Sequence, residues 1–216
     1  MERDVSALLE RVAGLGGFFG LPADSGAPGG YTAAELYEGD GFLELAERAR
    51  ARLGGSRRVV LSVTHLGYAA RLLSPMLAAA VVAGVTLVVP PASLVVRQAP
   101  SGGLSLALGE GAHLVSGTEE LADSIAAGHL LPLAERLRFT LAPTLLAGNA
   151  ASALVGAVRV LPPGLRPSGV RVLDELLAHP PLAGAFRAPG VRRTCCLFLK
   201  LPGGGTCGDC PVVPRV

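Results

Sequence analysis

The sequence predicts an α+β fold that is mostly helical and has a small central sheet. Two observations lead to this class. Apolar residues recur at helical spacing on both sides of residues 86–115, as they do in helices that bury one face. Inside residues 86–115, short runs of Leu and Val are separated by Pro and Gly, which is typical of short strands joined by turns. This order of elements favours an α+β fold with a helical majority.

The composition is that of one folded domain, or of one domain with a small appendage. The chain has 216 residues, of which half are apolar and 17% are charged. Such a composition excludes an intrinsically disordered chain. Aromatic residues make up 4% and Trp is absent, so we expect a core of Leu, Val and Ala. The net charge of +2 is too small to indicate binding to nucleic acid or to an anionic membrane.

Helix signals dominate the first 83 residues. Residues 2–13 predict a helix, and residues 14–31 predict a loop rich in Gly and Pro. Thr32 and Glu35 have the spacing of a capping box, which begins a second helical region. Residues 59–83 predict two helices that meet near Pro75. Between these regions a further helix is predicted to end at Gly54, because apolar residues recur at helical spacing before it; these are Phe42, Leu45, Ala46, Ala49 and Leu53.

Strands and then helices fill the rest of the main body. Strands are predicted at residues 87–89, 94–96 and 104–108, and helices at residues 119–127, 130–138, 141–160 and 170–178. All four cysteines follow these elements. We therefore expect an α+β domain at residues 1–186 and a short C-terminal segment at residues 187–216 that packs on it.

Two uncharged stretches require a test for membrane spans. The first lies between Arg71 and Arg97, but prolines leave only residues 76–89 uninterrupted, fewer than the ~20 residues that a spanning helix needs. The second, residues 139–158, contains Pro143 and Asn149. The N-terminus begins with charged residues and has no export-signal pattern. We expect a cytoplasmic protein without a transmembrane segment, in which clustered thiols stay reduced and indicate a metal.

The four cysteines form the pattern C-C-x10-C-x2-C, as Cys195-Cys196 and Cys207-Gly-Asp-Cys210. Residues 197–201 predict a short strand, and residues 202–205, Pro-Gly-Gly-Gly, permit a chain reversal. The reversal would bring Cys207 near Cys196. Neighbouring side chains on a strand point to opposite faces, so Cys195 and Cys196 can serve one site only if the backbone kinks there or if the site lies across the strand end.

Three chemistries remain open for these cysteines from the residues alone. They are a [2Fe–2S] cluster, a structural zinc ion, and a redox dithiol or disulfide. The vicinal pair weakens the zinc alternative, because structural zinc sites usually use two C-x2-C pairs. The surrounding charge is mostly positive, with Asp209 as the one acid among five cations: Arg187, Arg192, Arg193, Lys200 and Arg215. These cations either stabilise a reduced, anionic cluster or only solvate the segment.

Other motifs are weak. Residues 14–20 approach the dinucleotide-binding pattern, but Phe19 stands at the third Gly position and no strand precedes the stretch. Nothing therefore indicates a bound nucleotide or flavin. If the cysteines hold a redox centre, its electrons must come from an external donor. Asn149 is expected either to satisfy backbone groups or to contact substrate. The four histidines are expected to be structural or solvated rather than ligands: His65, His113, His129 and His179. Four aromatic residues are expected to pack in the core or in loops rather than to line a ligand surface: Tyr31, Tyr37, Phe18 and Phe19.

Residues 194–212, Thr-Cys-Cys-Leu-Phe-Leu-Lys-Leu-Pro-Gly-Gly-Gly-Thr-Cys-Gly-Asp-Cys-Pro-Val, resemble the C-terminal segment of the FhuF-type ferric-siderophore reductases. Residues 145–155 are similar, more weakly, to the family segment that usually carries Trp-Gly-Asn; Ala147 stands in place of the Trp here. The resemblance implies that Cys195, Cys196, Cys207 and Cys210 ligate a [2Fe–2S] cluster.

The resemblance also implies a function. The chain would be a cytoplasmic ferric-siderophore reductase that releases iron by one-electron transfer, with a ferric siderophore, for example a hydroxamate, as substrate. A ferredoxin or reductase would be the external electron donor. Two alternatives stay open: a non-catalytic Fe–S electron-transfer or sensor protein, and a siderophore-binding protein with a structural metal.

Overall fold

The computed structural model describes residues 4–99, 102–188 and 190–212. Within these ranges the helices are α1 Val5–Ala13, α2 Ala33–Glu38, α3 Gly41–Leu53, α4 Arg57–Ala83, α5 Leu121–Ile125, α6 Leu131–Leu137, α7 Pro143–Val160 and α8 Arg166–Ala178. The strands are β1 Tyr31–Thr32, β2 Val85–Val88, β3 Leu94–Gln98, β4 Leu104–Leu108, β5 His113–Ser116, β6 Phe186–Ala188 and β7 Val191–Arg192. Helices account for 56% and strands for 13%, in small sheets. The predicted α+β class with a helical majority is confirmed.

The prediction that residues 59–83 form two helices is wrong, because α4 runs without a break past Pro75. Ser56 caps its first turn by accepting from the Val59 N–H, and Gly84, with φ 61°, ends it in the left-handed conformation. A proline inside a helix leaves a carbonyl of the preceding turn without its donor. In α4 that carbonyl belongs to Arg71, and the helix continues through Pro75 because residues 72–80 are all buried in the core.

Helix α4 is also long and apolar enough to cross a membrane by length and composition. In this fold it is the central core helix, and 61% of its most apolar window is buried. Helix α7 packs along it, and α3, α1 and α8 pack around this pair. The core is built from Leu, Val and Ala with a few aromatic side chains, as the composition predicts.

The capping box at Thr32 is confirmed. The Thr32 hydroxyl accepts from the Glu35 N–H at 3.2 Å, and the Glu35 carboxylate accepts from the Thr32 N–H at 2.6 Å. Thr32 also ends β1, which pairs with β3 in the antiparallel order β1-β3-β4. Strands β2 and β5 form a second antiparallel pair. The sequence reasoning missed the two-residue β1 and the strand β5, because neither has a run of apolar residues.

A π-helical turn, Ala126–Leu130, joins α5 to α6, where the sequence predicted two separate helices. His129 lies in this turn, with Nδ1 2.7 Å from the Tyr37 hydroxyl and Nε2 2.7 Å from the Val89 carbonyl. A backbone carbonyl can only accept, so Nε2 carries the proton and Tyr37 donates to Nδ1. The π turn places the imidazole between α2 and the end of β2.

Candidate metal centre

The backbone kinks directly after the vicinal cysteines. Leu197 adopts the left-handed conformation, with φ 68°, and a 3-10 turn follows at Phe198–Lys200. The predicted strand at residues 197–201 is therefore wrong, and the kink that a shared site requires is present. A left-handed Leu costs on the order of 1–2 kcal/mol. Its N–H lies 3.3 Å from the Cys195 sulfur, so the kink also provides a backbone donor to a thiol.

The chain then reverses through the predicted glycine-rich turn. Gly203 has φ 68°, and the Gly204 N–H donates to the Leu201 carbonyl at 2.9 Å. A Cβ on Gly204 would clash with the Phe198 carbonyl oxygen, so this approach requires glycine. The reversal brings the Cys207 sulfur to 3.7 Å from the Cys196 sulfur. The predicted return of Cys207 to Cys196 is confirmed.

The other two cysteines differ in their burial and in their backbone contacts. The Cys210 N–H donates to the Cys207 carbonyl at 3.0 Å, which closes the C-x2-C turn, and Cys210 is buried while Cys195 is half-buried. All four are free thiols. Among the described residues, no three side chains of the Cys, His, Asp and Glu types are grouped closely enough to hold one metal ion. The structure thus brings one cysteine pair together and leaves the four-ligand assignment a prediction.

Arg192 is the cation that contacts the cysteines in the part of the chain that the structure describes. Its side chain is fully buried, and Nη2 donates to the Cys207 sulfur at 2.7 Å. Nη1 donates to the Asn149 Oδ1 at 3.1 Å and faces the Gly148 carbonyl at 3.4 Å. Burial acts to lower the pKa of Arg192, but contact with Cys196 and the charges of Asp209 and Cys207 raise it overall. The guanidinium therefore stays charged against the sulfurs.

Asp209 balances this cation. Its Oδ2 lies 3.0 Å from the Arg192 Nε, and both side chains are buried. The two atoms are close but not aligned for a hydrogen bond, so the attraction is that of an ion pair. Arg193 and Lys200 are exposed, and the Arg193 Nε donates to the Gly184 carbonyl. Of the five cations that the sequence places in this segment, Arg192 is the one for which the described residues show a contact with a cysteine sulfur.

A buried polar network ties the cysteine segment to the core helices. Asn149 of α7 is fully buried, and its amide donates to the Ser62 carbonyl and hydroxyl of α4 at 3.0 and 3.2 Å. The Ser62 hydroxyl donates to the Cys196 carbonyl at 2.8 Å. Asn149 thus satisfies backbone and charged groups, as the first of its two predicted roles requires. Ser62 was missed, because a lone Ser in an apolar helix carries no distinctive signal.

Close helix packing also positions the cysteine segment. Thr194 lies against Gly148 of α7, where a Cβ would clash with the Thr194 hydroxyl, and this hydroxyl faces the Thr144 carbonyl at 3.3 Å. On the other side, the turn at Leu201 and Pro202 packs on Gly54 and Gly55, at the loop before α4. The cysteines are therefore held by both helices of the central pair.

The thiols of Cys196 and Cys207 titrate as a pair. The hydrogen bond with Cys207 lowers the pKa of Cys196 to about 5 against the effect of burial, and Arg192 contributes in the same direction. The same hydrogen bond, with burial, raises the pKa of Cys207. Because the proton is shared, the first ionisation belongs to the pair and not to one residue. Arg192 stabilises the negative charge that this ionisation leaves on the pair. Burial raises the pKa of Cys195.

The other candidates from the sequence lie apart from the cysteines. His65 and His129 are buried in the core, while His113 and His179 are exposed on the surface. Tyr37 is buried and hydrogen-bonded to Tyr68 at 2.5 Å. His129 and Tyr37 make buried hydrogen bonds and His65 packs near Phe42, so these three are structural, as expected.

The residues at the centre fit an iron–sulfur cluster. The donor set is four thiols, and the sulfurs of Cys196 and Cys207 already stand as far apart as two thiolates on one metal ion. A backbone N–H faces Cys195, and a buried cation faces Cys207. Such donors stabilise the negative charge that thiolate-ligated clusters carry. Residues 192–211 match the family model of the FhuF 2Fe-2S C-terminal domain. This stretch begins at Arg192 and contains all four cysteines. A comparison with curated proteins gave no match.

Proposed function

We propose that this chain, whose residues 192–211 match the FhuF 2Fe-2S C-terminal domain, is a cytoplasmic ferric-siderophore reductase. It would pass one electron to the Fe(III) of a ferric siderophore and so release the metal as Fe(II). The presence of this iron–sulfur domain in the chain rests on the match of residues 192–211. The substrate, the partners and the location are the proposal.

One observation carries the proposal: the family match coincides with the segment in which Cys196 and Cys207 meet beside the buried Arg192. Cys195, Cys196, Cys207 and Cys210 would hold the cluster. The cluster, when bound, supplies one-electron redox chemistry at a potential set by its ligands and surroundings. Ligation, rather than nucleophilic attack, is the role of the four thiolates.

The protein's own residues set the conditions for electron transfer. Arg192 places a desolvated positive charge on a ligand sulfur, which favours the more negative, reduced form. Asp209 moderates this charge, and Asn149 fixes the guanidinium in place. Cys195 and Cys207 are half-buried rather than enclosed, which leaves the centre close to the surface where a substrate can approach.

Reduction releases iron because siderophore oxygens are hard ligands. Hard oxygen donors bind Fe(III) far more strongly than Fe(II), so one added electron weakens the complex and the Fe(II) leaves. The sequence has no nucleotide-binding pattern, so the electron would come from an external donor such as a ferredoxin or a reductase. Nucleic acid and a transmembrane segment have no part in this proposal.

Anaerobic single-turnover mixing tests the proposal. The protein is reduced with dithionite, freed of excess reductant and mixed with a ferric hydroxamate in the presence of a ferrous chelator. We expect the protein's visible spectrum to return to the oxidised form while Fe(II) appears in the chelator at one iron per electron. A matched sample of the apoprotein, from which the cluster has been removed, should be inactive. If the reduced protein gives its electron to a ferredoxin but to no member of a panel of ferric siderophores, the chain is an electron carrier and the proposal fails.

A further inference from the structure

We infer that Cys196 and Cys207 bind one iron of the cluster, that Cys195 and Cys210 bind the other, and that Arg192 directs the added electron to the first iron. This inference rests on the proposed [2Fe–2S] centre. Four cysteines can be divided between two irons in three ways. The order of the sequence suggests the division of Cys195 with Cys196 and of Cys207 with Cys210, and the structure favours a different one.

The distance between sulfurs identifies the first pair. Two thiolates that lie about 2.3 Å from one tetrahedral metal stand about 3.8 Å apart. The Sγ atoms of Cys196 and Cys207 are 3.7 Å apart. The C-x2-C turn closes through the Cys210 N–H and the Cys207 carbonyl, yet the Cys207 sulfur meets Cys196 and not Cys210 within hydrogen-bonding distance.

The kink at Leu197 separates the two vicinal cysteines. The Leu197 N–H faces the Cys195 sulfur at 3.3 Å, whereas the Cys196 sulfur faces Cys207. The Ser62 hydroxyl holds the Cys196 carbonyl, which fixes the peptide from which this sulfur projects. Adjacent residues with separately anchored sulfurs are suited to different irons.

Charge distinguishes the two pairs. In a reduced [2Fe–2S] centre the extra negative charge is largest at the sulfurs of the iron that becomes ferrous. The Arg192 Nη2 donates to Cys207 at 2.7 Å, and the guanidinium is held there by Asn149. Charge-assisted hydrogen bonds of this kind stabilise an anionic acceptor. Cys195 receives its hydrogen bond from a neutral backbone N–H, and Arg192 acts on it through its charge without a described hydrogen bond. The iron of Cys196 and Cys207 is therefore the easier one to reduce, and Arg192 is a positioning residue for the electron.

Four single Cys→Ser variants test the division between the irons. An oxygen ligand is harder than a thiolate and stabilises Fe(III), so it lowers the potential most at the iron that takes the electron. We expect Cys196→Ser and Cys207→Ser to lower the potential strongly and alike, with similar altered EPR signals. Cys195→Ser and Cys210→Ser should form a second class with smaller shifts. The inference would be overturned if the potential shifts grouped the Cys195 variant with the Cys196 variant and the Cys207 variant with the Cys210 variant. Four equal shifts would overturn it as well.

Wild-type protein provides a second readout that does not depend on variants that lose the cluster. In the reduced state, NMR signals of cysteine β-protons next to ferrous and ferric iron respond oppositely to temperature. The ferrous-type signals should belong to Cys196 and Cys207, and any other assignment overturns the inference. Arg192→Gln should lower the potential and weaken this distinction, whereas the matched exposed control Arg193→Gln should change neither. Wild-type protein without iron or sulfide would instead contradict the proposed cofactor, so the two failures are distinguishable.

Discussion

Replacing Asn149 with Ala should destabilise the protein and loosen the cysteine segment together. The substitution removes the acceptor for the Arg192 Nη1 and the donor to Ser62. A buried hydrogen bond to a charged group contributes about 1.5–3 kcal/mol and a neutral one about 1 kcal/mol, so we expect a loss of about 3 kcal/mol. For a domain of this length each kcal/mol lowers the Tm by about 2–4 °C, which gives about 6–12 °C.

Thermal unfolding followed by far-UV circular dichroism measures this effect, at one scan rate because loss of the cluster makes unfolding irreversible. The reduction potential should also fall, since Arg192 loses the contact that holds it on Cys207. Ser74→Ala is the matched control: its buried hydroxyl bonds only to Ala70 in its own helix, so it should cost about 1 kcal/mol and leave the potential unchanged. An Asn149→Ala protein that melts within about 2 °C of the wild type, with an unchanged potential, would refute the network argument.

Two further predictions concern packing and pH. Gly148→Ala should displace Thr194 and reduce the iron content of the protein. In the control Gly156→Ala, in the same helix, the new methyl group meets nothing within 4 Å, so the change should be neutral or should stabilise the fold by up to about 1 kcal/mol. Equal iron content in the two variants would contradict the packing argument. Burial lowers the pKa of His65 and of His129 to about 4, below the ordinary value of about 6.5. As the pH falls, these histidines therefore bind protons in the unfolded chain before they do so in the folded protein. The folding free energy that the neutral histidines preserve above pH 6.5 is lost as the pH falls towards 4. Between pH 8 and pH 5 the free energy of unfolding should drop by about 2 kcal/mol per histidine, and denaturant titrations that give the same value at both pH values would contradict this.

The elements with strong local signals were predictable from the sequence. The capping box of Thr32 and Glu35, the helix ending at Gly54 and the alternating strand at residues 104–108 each carry a local pattern that tertiary packing does not override. The single helix through Pro75 was not predictable, because its continuity depends on the burial of α4 in the core. The strand β1 was missed for a similar reason, since its two residues are ordered by pairing with β3.

The candidate centre divides in the same way. The cysteine spacing and the glycine-rich reversal predicted that Cys207 returns to Cys196. The left-handed Leu197 could not be foreseen, because such a residue is stabilised only by the packing around it. Nor could the sequence distinguish Arg192 from Arg193, because the two residues are chemically identical. In the fold the side chain of Arg192 is buried and that of Arg193 is exposed. Ser62 and Asn149 are 87 residues apart in the sequence and meet only where α4 packs on α7. No local sequence pattern predicts such a contact.

The most direct test of the account is the metal and sulfide content of the purified protein. Protein purified without oxygen should be coloured and contain about two irons and two acid-labile sulfides per chain, as a [2Fe–2S] centre on four thiolates requires. Replacing Cys195, Cys196, Cys207 or Cys210 singly by Ser should strip or destabilise this content, because an oxygen ligand is a poor match for iron–sulfide. A colourless protein that carries one zinc per chain and no labile sulfide would contradict the account.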